Sequence, residues 1–173
     1  MSDWNSVSFK VKAQYYLLKP MCGLSWVDRG MLDLEIAKER LRHEDLGLSI
    51  VREGRVVYES ASRGLFGLLE AIDNKRTVLK GTSIADRVVG KAVALLCVYA
   101  GVEAVFAITL SREGKRFLDD HSVHSEFDGL VDAILDANQV DKCPFERLVA
   151  DISSPSAAYE KILGLCEHLQ RDG

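Results

Sequence analysis

The chain has 173 residues, 47% of them hydrophobic and 28% charged, which is the size and make-up of one globular domain able to form its core without staples. A net charge of −4 and a pI of about 5.6 give it no electrostatic reason to seek phosphate backbones, so no nucleic acid is expected as a partner. The longest apolar stretch, Val88–Ala100, is broken by Gly90 and Lys91 and falls short of the ~20 residues a bilayer span needs, so no membrane partner is expected either.

Cys22, Cys97, Cys143 and Cys166 are widely spaced, and no signal peptide is visible; they read as reduced thiols of a cytoplasmic protein. Residues 1–30 form an N-terminal extension that holds both tryptophans, Trp4 and Trp26, with four basic residues against two acidic ones, so the rest of the chain carries −6. Val7, Phe9, Val11 and Ala13 alternate with polar neighbours in a weak strand pattern. Met31 opens a helix with Asp33 as its N-cap and Ile36, Ala37 and Leu41 on the apolar side. Met31 therefore marks the start of a single domain over 31–173. One reading makes it the start of the protein as well; an N-terminal strand or arm is the other.

Leu48–Arg52 and Arg55–Ser60 are β-rich runs joined by Glu53-Gly54, where glycine supplies the left-handed conformation of a tight hairpin. After a loop at Ser62-Arg63-Gly64, Leu65, Leu68, Leu69 and Ile72 repeat at helical spacing up to Asn74. Ser83 and Asp86 stand at capping-box spacing ahead of an apolar run. That run predicts a central buried helix through Tyr99, closed by Gly101. Val102–Leu110, apolar on both faces, belongs inside a sheet. Ser111 caps the next helix, with Phe117 and Leu118 facing in. Val131–Leu135 reads as another short strand, with a helix as the competing reading. Cys143-Pro144 and Ser154-Pro155 open the last two helices, the second lined by Tyr159, Ile162, Leu163, Cys166 and Leu169. Strands alternating with helices after a hairpin predict a layered α/β sandwich.

The run Leu48–Ser62, the segment Ile84-Ala85-Asp86-Arg87-Val88-Val89-Gly90-Lys91-Ala92 and the segment Cys143-Pro144-Phe145-Glu146 resemble, in that order and spacing, the family catalogued as domain of unknown function 1893. The resemblance covers roughly residues 32–168. The family is placed in the cytidine-deaminase-like superfamily, so the resemblance implies a three-layer α/β/α sandwich with an opening β-hairpin; it implies no established activity. Arg87 stands where family members usually have lysine, Gly67 lies where proline is frequent, and Asp136-Ala137-Asn138 replaces an Asn-Arg-Asp stretch.

Zinc deaminases hold their metal with a His or Cys on one helix and a Pro-Cys-x-x-Cys on the next, beside a proton-shuttling glutamate. Here Asp86 stands where the first ligand is needed, and Cys143-Pro144-Phe145-Glu146 reverses the second motif and lacks its second cysteine. His121 and His124 lie on another segment, near the end of a helix. With no three converging ligands, neither zinc nor another cofactor is expected.

The resemblance puts the helix starts at Asp86 and Cys143 near one another. A cysteine at a helix N-terminus favours the thiolate. Cys143 is then a reactive thiol, Asp86 its acid or base and Glu146 a second carboxylate, while Ser62, Lys91 and Ser111 bind polar groups of a small-molecule ligand. Each has a structural reading beside this one. Asp86 and Glu146 sit at capping-box positions, Cys143 suits a small buried N-cap next to Asp141, and Lys91 suits an ion pair. The second class of function is a module that binds a nucleotide-like ligand without catalysis, or that pairs with itself as a homodimer or with another protein.

Overall fold

The structure is a computed structural model that describes residues 26–62 and 65–171. The strand pattern over Val7–Ala13 lies outside the described residues, as do Arg63 and Gly64.

Helix α1 runs over Trp26–His43, so Met31 lies inside it rather than at its start. Leu34, Ala37 and Leu41, spaced three and four apart, are fully buried on one side. Asp33 is not an N-cap. Its two carboxyl oxygens accept the backbone N–H groups of Glu53 and Gly54 at 2.8 and 2.7 Å, holding the tip of the hairpin that comes next in the chain.

That hairpin joins β1 (Leu48–Arg52) to β2 (Arg55–Ser60), with the bounds the residue pattern predicts. Glu53 and Gly54 have φ of 52° and 74°, the paired left-handed conformation that matches the twist of a two-residue hairpin. Helix α2 covers Phe66–Leu79, and β3 covers Ser83–Val89. Helix α3 covers Lys91–Ala100 and ends on Gly101 (φ 75°), whose N–H donates back to the Cys97 and Val98 carbonyls. After β4 (Ala104–Ser111) come α4 (Arg112–Asp120), β5 (His124–Val131), α5 (Pro144–Leu148) and α6 (Pro155–Arg171).

The five strands form one open sheet in the order β2-β1-β3-β4-β5. β1 runs antiparallel to both β2 and β3, whereas β3, β4 and β5 are parallel. Successive residues of β4 serve two different apolar clusters. Ala104 and Phe106 join Leu34, Ala37 and Leu41 of α1, while Val105 and Ala107 join residues of α2, α3, α4 and α6. Helices therefore pack against both faces of the sheet, in keeping with the alternation of a pleated strand. Among the described residues no helix is long and apolar enough to cross a membrane.

Two expected elements differ. Ser83–Asp86 is not a helix start: the segment pairs with β1 on one side and β4 on the other, and the helix begins only at Lys91, after Gly90. The strand expected at Val131–Leu135 is instead β5, which ends at Val131; Leu135 makes only an isolated bridge to Lys142.

Candidate functional site

The chemistry-bearing residues gather where β3 gives way to α3. Gly90 occupies the N-cap of α3 and has no side chain to offer its first-turn N–H groups. Glu146, from the short helix α5, fills that role from across the fold. Its Oε2 accepts the Lys91 N–H at 3.0 Å and its Oε1 the Ala92 N–H at 2.9 Å. The approach is so close that a Cβ at position 90 would lie 2.4 Å from Oε1, so glycine is needed here for space rather than for backbone conformation. Burial raises the Glu146 carboxyl above its ordinary range, against the two N–H bonds that lower it.

Lys91 and Ser111 brace the same corner. The buried Lys91 ammonium donates to the Ala150 carbonyl and lies 3.4 Å from Glu113 Oε1. Ser111 Oγ accepts the Gly114 N–H at 2.9 Å and so caps α4. A Cβ at Gly114 would meet the Gly90 carbonyl carbon at 2.9 Å, so the two helix starts touch through glycines.

Cys143 is half-buried at the N-cap of α5, and its side chain makes no capping bond. Its backbone N–H donates to the Ile134 carbonyl at 3.0 Å. α5 has five residues, and the Glu146 carboxyl shares a pocket with Cys143.

That pocket has a volume of about 150 Å³. Leu65 and Phe66 at the start of α2, and Gly90, Ala92 and Val93 at the start of α3, form two of its sides. Val88, Ile134, Cys143, Phe145 and Glu146 complete it, and the Phe66 and Phe145 rings meet edge to face at 5.9 Å between centroids. The starts of α2, α3 and the short α5 therefore converge on a mostly apolar hollow with one thiol and one carboxyl. α2 has neither a side-chain cap nor an acidic residue in its first turn.

Asp86 and Ser62 stand apart from it. Asp86 lies in the middle of the sheet, opposite Leu48 and Ala107, and does not line the pocket. Its Oδ1 accepts the Val88 N–H at 2.9 Å, but its buried Oδ2 has no hydrogen-bond partner among the described residues. Burial pushes this carboxyl up to about 7, and burial together with the Asp86 charge drives the Cys97 thiol well above its ordinary range. Ser62 is exposed, its backbone N–H donating to Ser60 Oγ.

The family model described as domain of unknown function (DUF1893) matches residues 36–164. The chain belongs to the DUF1893 family. A crystal structure of a DUF1893 family protein from Thermotoga maritima matches with a TM-score of 0.70 at 24% identity, over 76% of this chain and 88% of that one, a likeness that shows the shared fold. No curated protein matches the chain.

In this DUF1893 protein larger hollows lie elsewhere among the described residues. One, of about 490 Å³, is bordered by Glu103, His121 and His124 at the starting ends of the parallel strands; another, of about 560 Å³, flanks the hairpin at Arg52 and Val56. Neither is lined by any of the six residues singled out from the sequence. The smaller pocket sits at the carboxyl end of β3, where open α/β sheets place their ligands. Among the described residues no three His, Cys, Asp or Glu side chains lie close enough together to hold a metal ion. His121 Nδ1 is engaged with the Phe117 carbonyl, and His124 pairs with Glu126.

The pocket's α2 wall was not found from the sequence, because Leu65 and Phe66 look like ordinary core positions. The true start of α3 did leave a signal. Glycine is an accepted N-cap, and Gly90 directly precedes the uninterrupted helical run.

Proposed function

We propose that this DUF1893 chain binds a small nitrogen-containing ring, of the size and kind of a nucleobase, in the pocket between the starts of α2 and α3. The observation that carries this is the pocket itself: about 150 Å³ with almost wholly apolar walls, one of them Glu146, whose carboxyl is bound to the first N–H groups of α3. A cavity of about that volume accommodates one six-membered ring. A carboxylate has about four acceptor sites, and the α3 N–H groups occupy two of them. The remaining capacity suits an amino or ring N–H donor.

The layout supports a finer reading of the fold. Helices against both faces of the sheet, with an antiparallel hairpin leading into parallel strands, fit a three-layer α/β/α sandwich of the cytidine-deaminase-like kind. The ligand is then bound in a deaminase-like hollow without deaminase chemistry. Cys143 is a wall of the pocket, Glu146 its recognition group, and Asp86, Lys91 and Ser111 hold the surrounding frame. Ser62 stands on the loop leading to α2. The free thiols of Cys97, Cys143 and Cys166 suit a reducing, cytoplasmic setting.

Cys143 provides the test. Its alkylation by iodoacetamide, followed by mass spectrometry, should slow several-fold as cytosine or 2-aminopyrimidine is added to about 1 mM, a modest affinity for a single ring. Cyclohexanol, of similar size but without the N–H donors, should protect far less. Val93→Trp, which fills the pocket, should abolish the protection. An alkylation rate indifferent to all three probes would overturn the reading.

A further inference from the structure

The hollow of about 560 Å³ beside the hairpin shares no wall with the pocket at Cys143. It is lined by Arg52 and Glu53 at the end of β1, by Arg55, Val56 and Val57 of β2, and by Val78 in the last turn of α2. β2 is an edge strand, paired only with β1 among the described residues. Its register slips between Ile50 and Val51: Ile50 faces Tyr58 and Val51 faces Val56, so Val57 is an extra residue on β2. A bulge of this kind re-aims side chains. Val57 and Tyr58, although adjacent in sequence, both pack against the apolar cluster that α2 and α3 share. Val56 is left 45% exposed, and Val78, on the helix side of the hollow, is 40% exposed.

The polar rim is mostly basic. Arg55 makes no hydrogen bond or ion pair among the described residues. Arg52 donates a long bond of 3.4 Å to the Val78 carbonyl and stands 3.8 Å from Glu53, which leaves most of its five donors unused. α2 is kinked at Lys75 (φ −139°, ψ 21°), and the Lys75 ammonium donates to the Val57 carbonyl at 3.1 Å. Arg52, Arg55 and Lys75 thus stand at one hollow against the Glu53 carboxylate, on a chain whose net charge is −4.

Exposed valines set among cations suit an occupant that is both apolar and acidic. A nucleic-acid backbone would use the cations and leave the valines in water. A purely apolar partner would cover the valines and bury the guanidinium groups unpaired. The bulge interrupts the free edge of β2, so recognition falls to side chains rather than to a continued sheet.

We propose that this hollow is a docking site for an extended acidic segment of a partner protein. One apolar side chain of the partner sits between Val56 and Val78, and carboxylates on either side of it meet Arg55, Arg52 and Lys75. The site is separate from the Cys143 pocket, so its failure would leave the ring-binding reading untouched.

The probe is a fluorescein-labelled decapeptide of alternating glutamate and valine, titrated with the full chain and followed by fluorescence polarisation. Binding should saturate with a Kd of about 0.1 mM, because ordering a flexible peptide offsets much of what a few contacts supply. Raising the salt to about 0.3 M should weaken it several-fold. Arg55→Glu should weaken it about tenfold by placing like charges together, and Val78→Ser several-fold; both side chains are exposed, so neither change disturbs the core. In the 15N-labelled protein the amide signals of Val56, Val57 and Val78 should shift with the peptide. Failure of the peptide to bind at about 1 mM, ten times the expected Kd, would overturn the proposal, as would affinity unchanged in Arg55→Glu. Equal binding of a decapeptide of glutamate alone would deny the valines their part, and tighter binding of oligothymidylate at the same amides would make the hollow a nucleic-acid site instead.

Discussion

Glu146 shows how one side chain can serve another element's needs. α3 starts at a glycine, so its first two N–H groups are satisfied by a carboxylate 54 and 55 residues away in sequence. Removing that carboxylate leaves buried donors unpaired, which typically costs about 1–3 kcal/mol. Glu146→Ala should therefore lower the unfolding free energy by about 2 kcal/mol. Gly90→Ala should cost a similar amount for a different reason, since its methyl would occupy the space of the Glu146 oxygens. The two losses share one cause and must not add. In the Glu146→Ala background, Gly90→Ala should cost no more than about half of what it costs alone. Urea unfolding of the four members of the cycle checks this, and additive losses would separate Gly90 from Glu146.

At the level of elements, local contacts explain which parts of the fold were legible. The hairpin was readable to the residue because Glu53-Gly54 dictates its turn, although the pairing of β1 with β2 carries a register shift between Ile50 and Val51. α4 was readable because Ser111 is a true side-chain N-cap. Ser83-Ile84-Ala85-Asp86 imitates the same signal, yet its side chains do other work: Ser83 Oγ donates to the Gly30 carbonyl of α1, and Asp86 bonds Val88. Pairing with strands on both sides outweighs the local preference for a helix. β5 escaped notice because it is an edge strand, with His124, Glu126 and Asp128 giving it a polar pattern. The candidate site followed the same division. Cys143 and Glu146 were singled out through the Cys143-Pro144-Phe145-Glu146 motif, whereas Phe66 and Val93 join the pocket only through tertiary packing. Asp33 was misread for the same reason, as its partners lie 20 and 21 residues downstream. Asp33→Ala should cost about 1–3 kcal/mol by stranding those two N–H groups. It should also speed amide hydrogen exchange at Glu53 and Gly54 ahead of the rest of the sheet; unchanged exchange there would deny Asp33 its role in holding the turn.

Across the whole molecule, buried carboxyls of opposite tendency set the pH response. Burial raises Asp86, Asp33 and Glu146. Glu59 is held low by its hydrogen bond to Arg40; in Glu126, Lys38 and His124 outweigh a burial that would otherwise raise it. The two sets act against each other. A lowered carboxyl contributes stability above its unfolded pKa and loses it as pH falls, whereas a raised one contributes most in acid and loses it as pH climbs. For Asp86 the folded value is about 7 against about 3.9 unfolded, so between those limits the folded chain holds a proton that the unfolded chain has released. Its contribution should fall with a slope of up to about 1.4 kcal/mol per pH unit over that window and level off above it. The opposing groups hide this in the wild-type curve alone, but they are common to the Asp86→Asn variant, and subtraction removes them. Urea midpoints of both proteins from pH 4.5 to 8.5 should shift in favour of the asparagine variant by an amount on the order of 1–4 kcal/mol, with the change complete by about pH 7.5. Parallel curves would mean that Asp86 is ionised in the folded core throughout. In that case its second oxygen must be stabilised by a group other than the described residues around it.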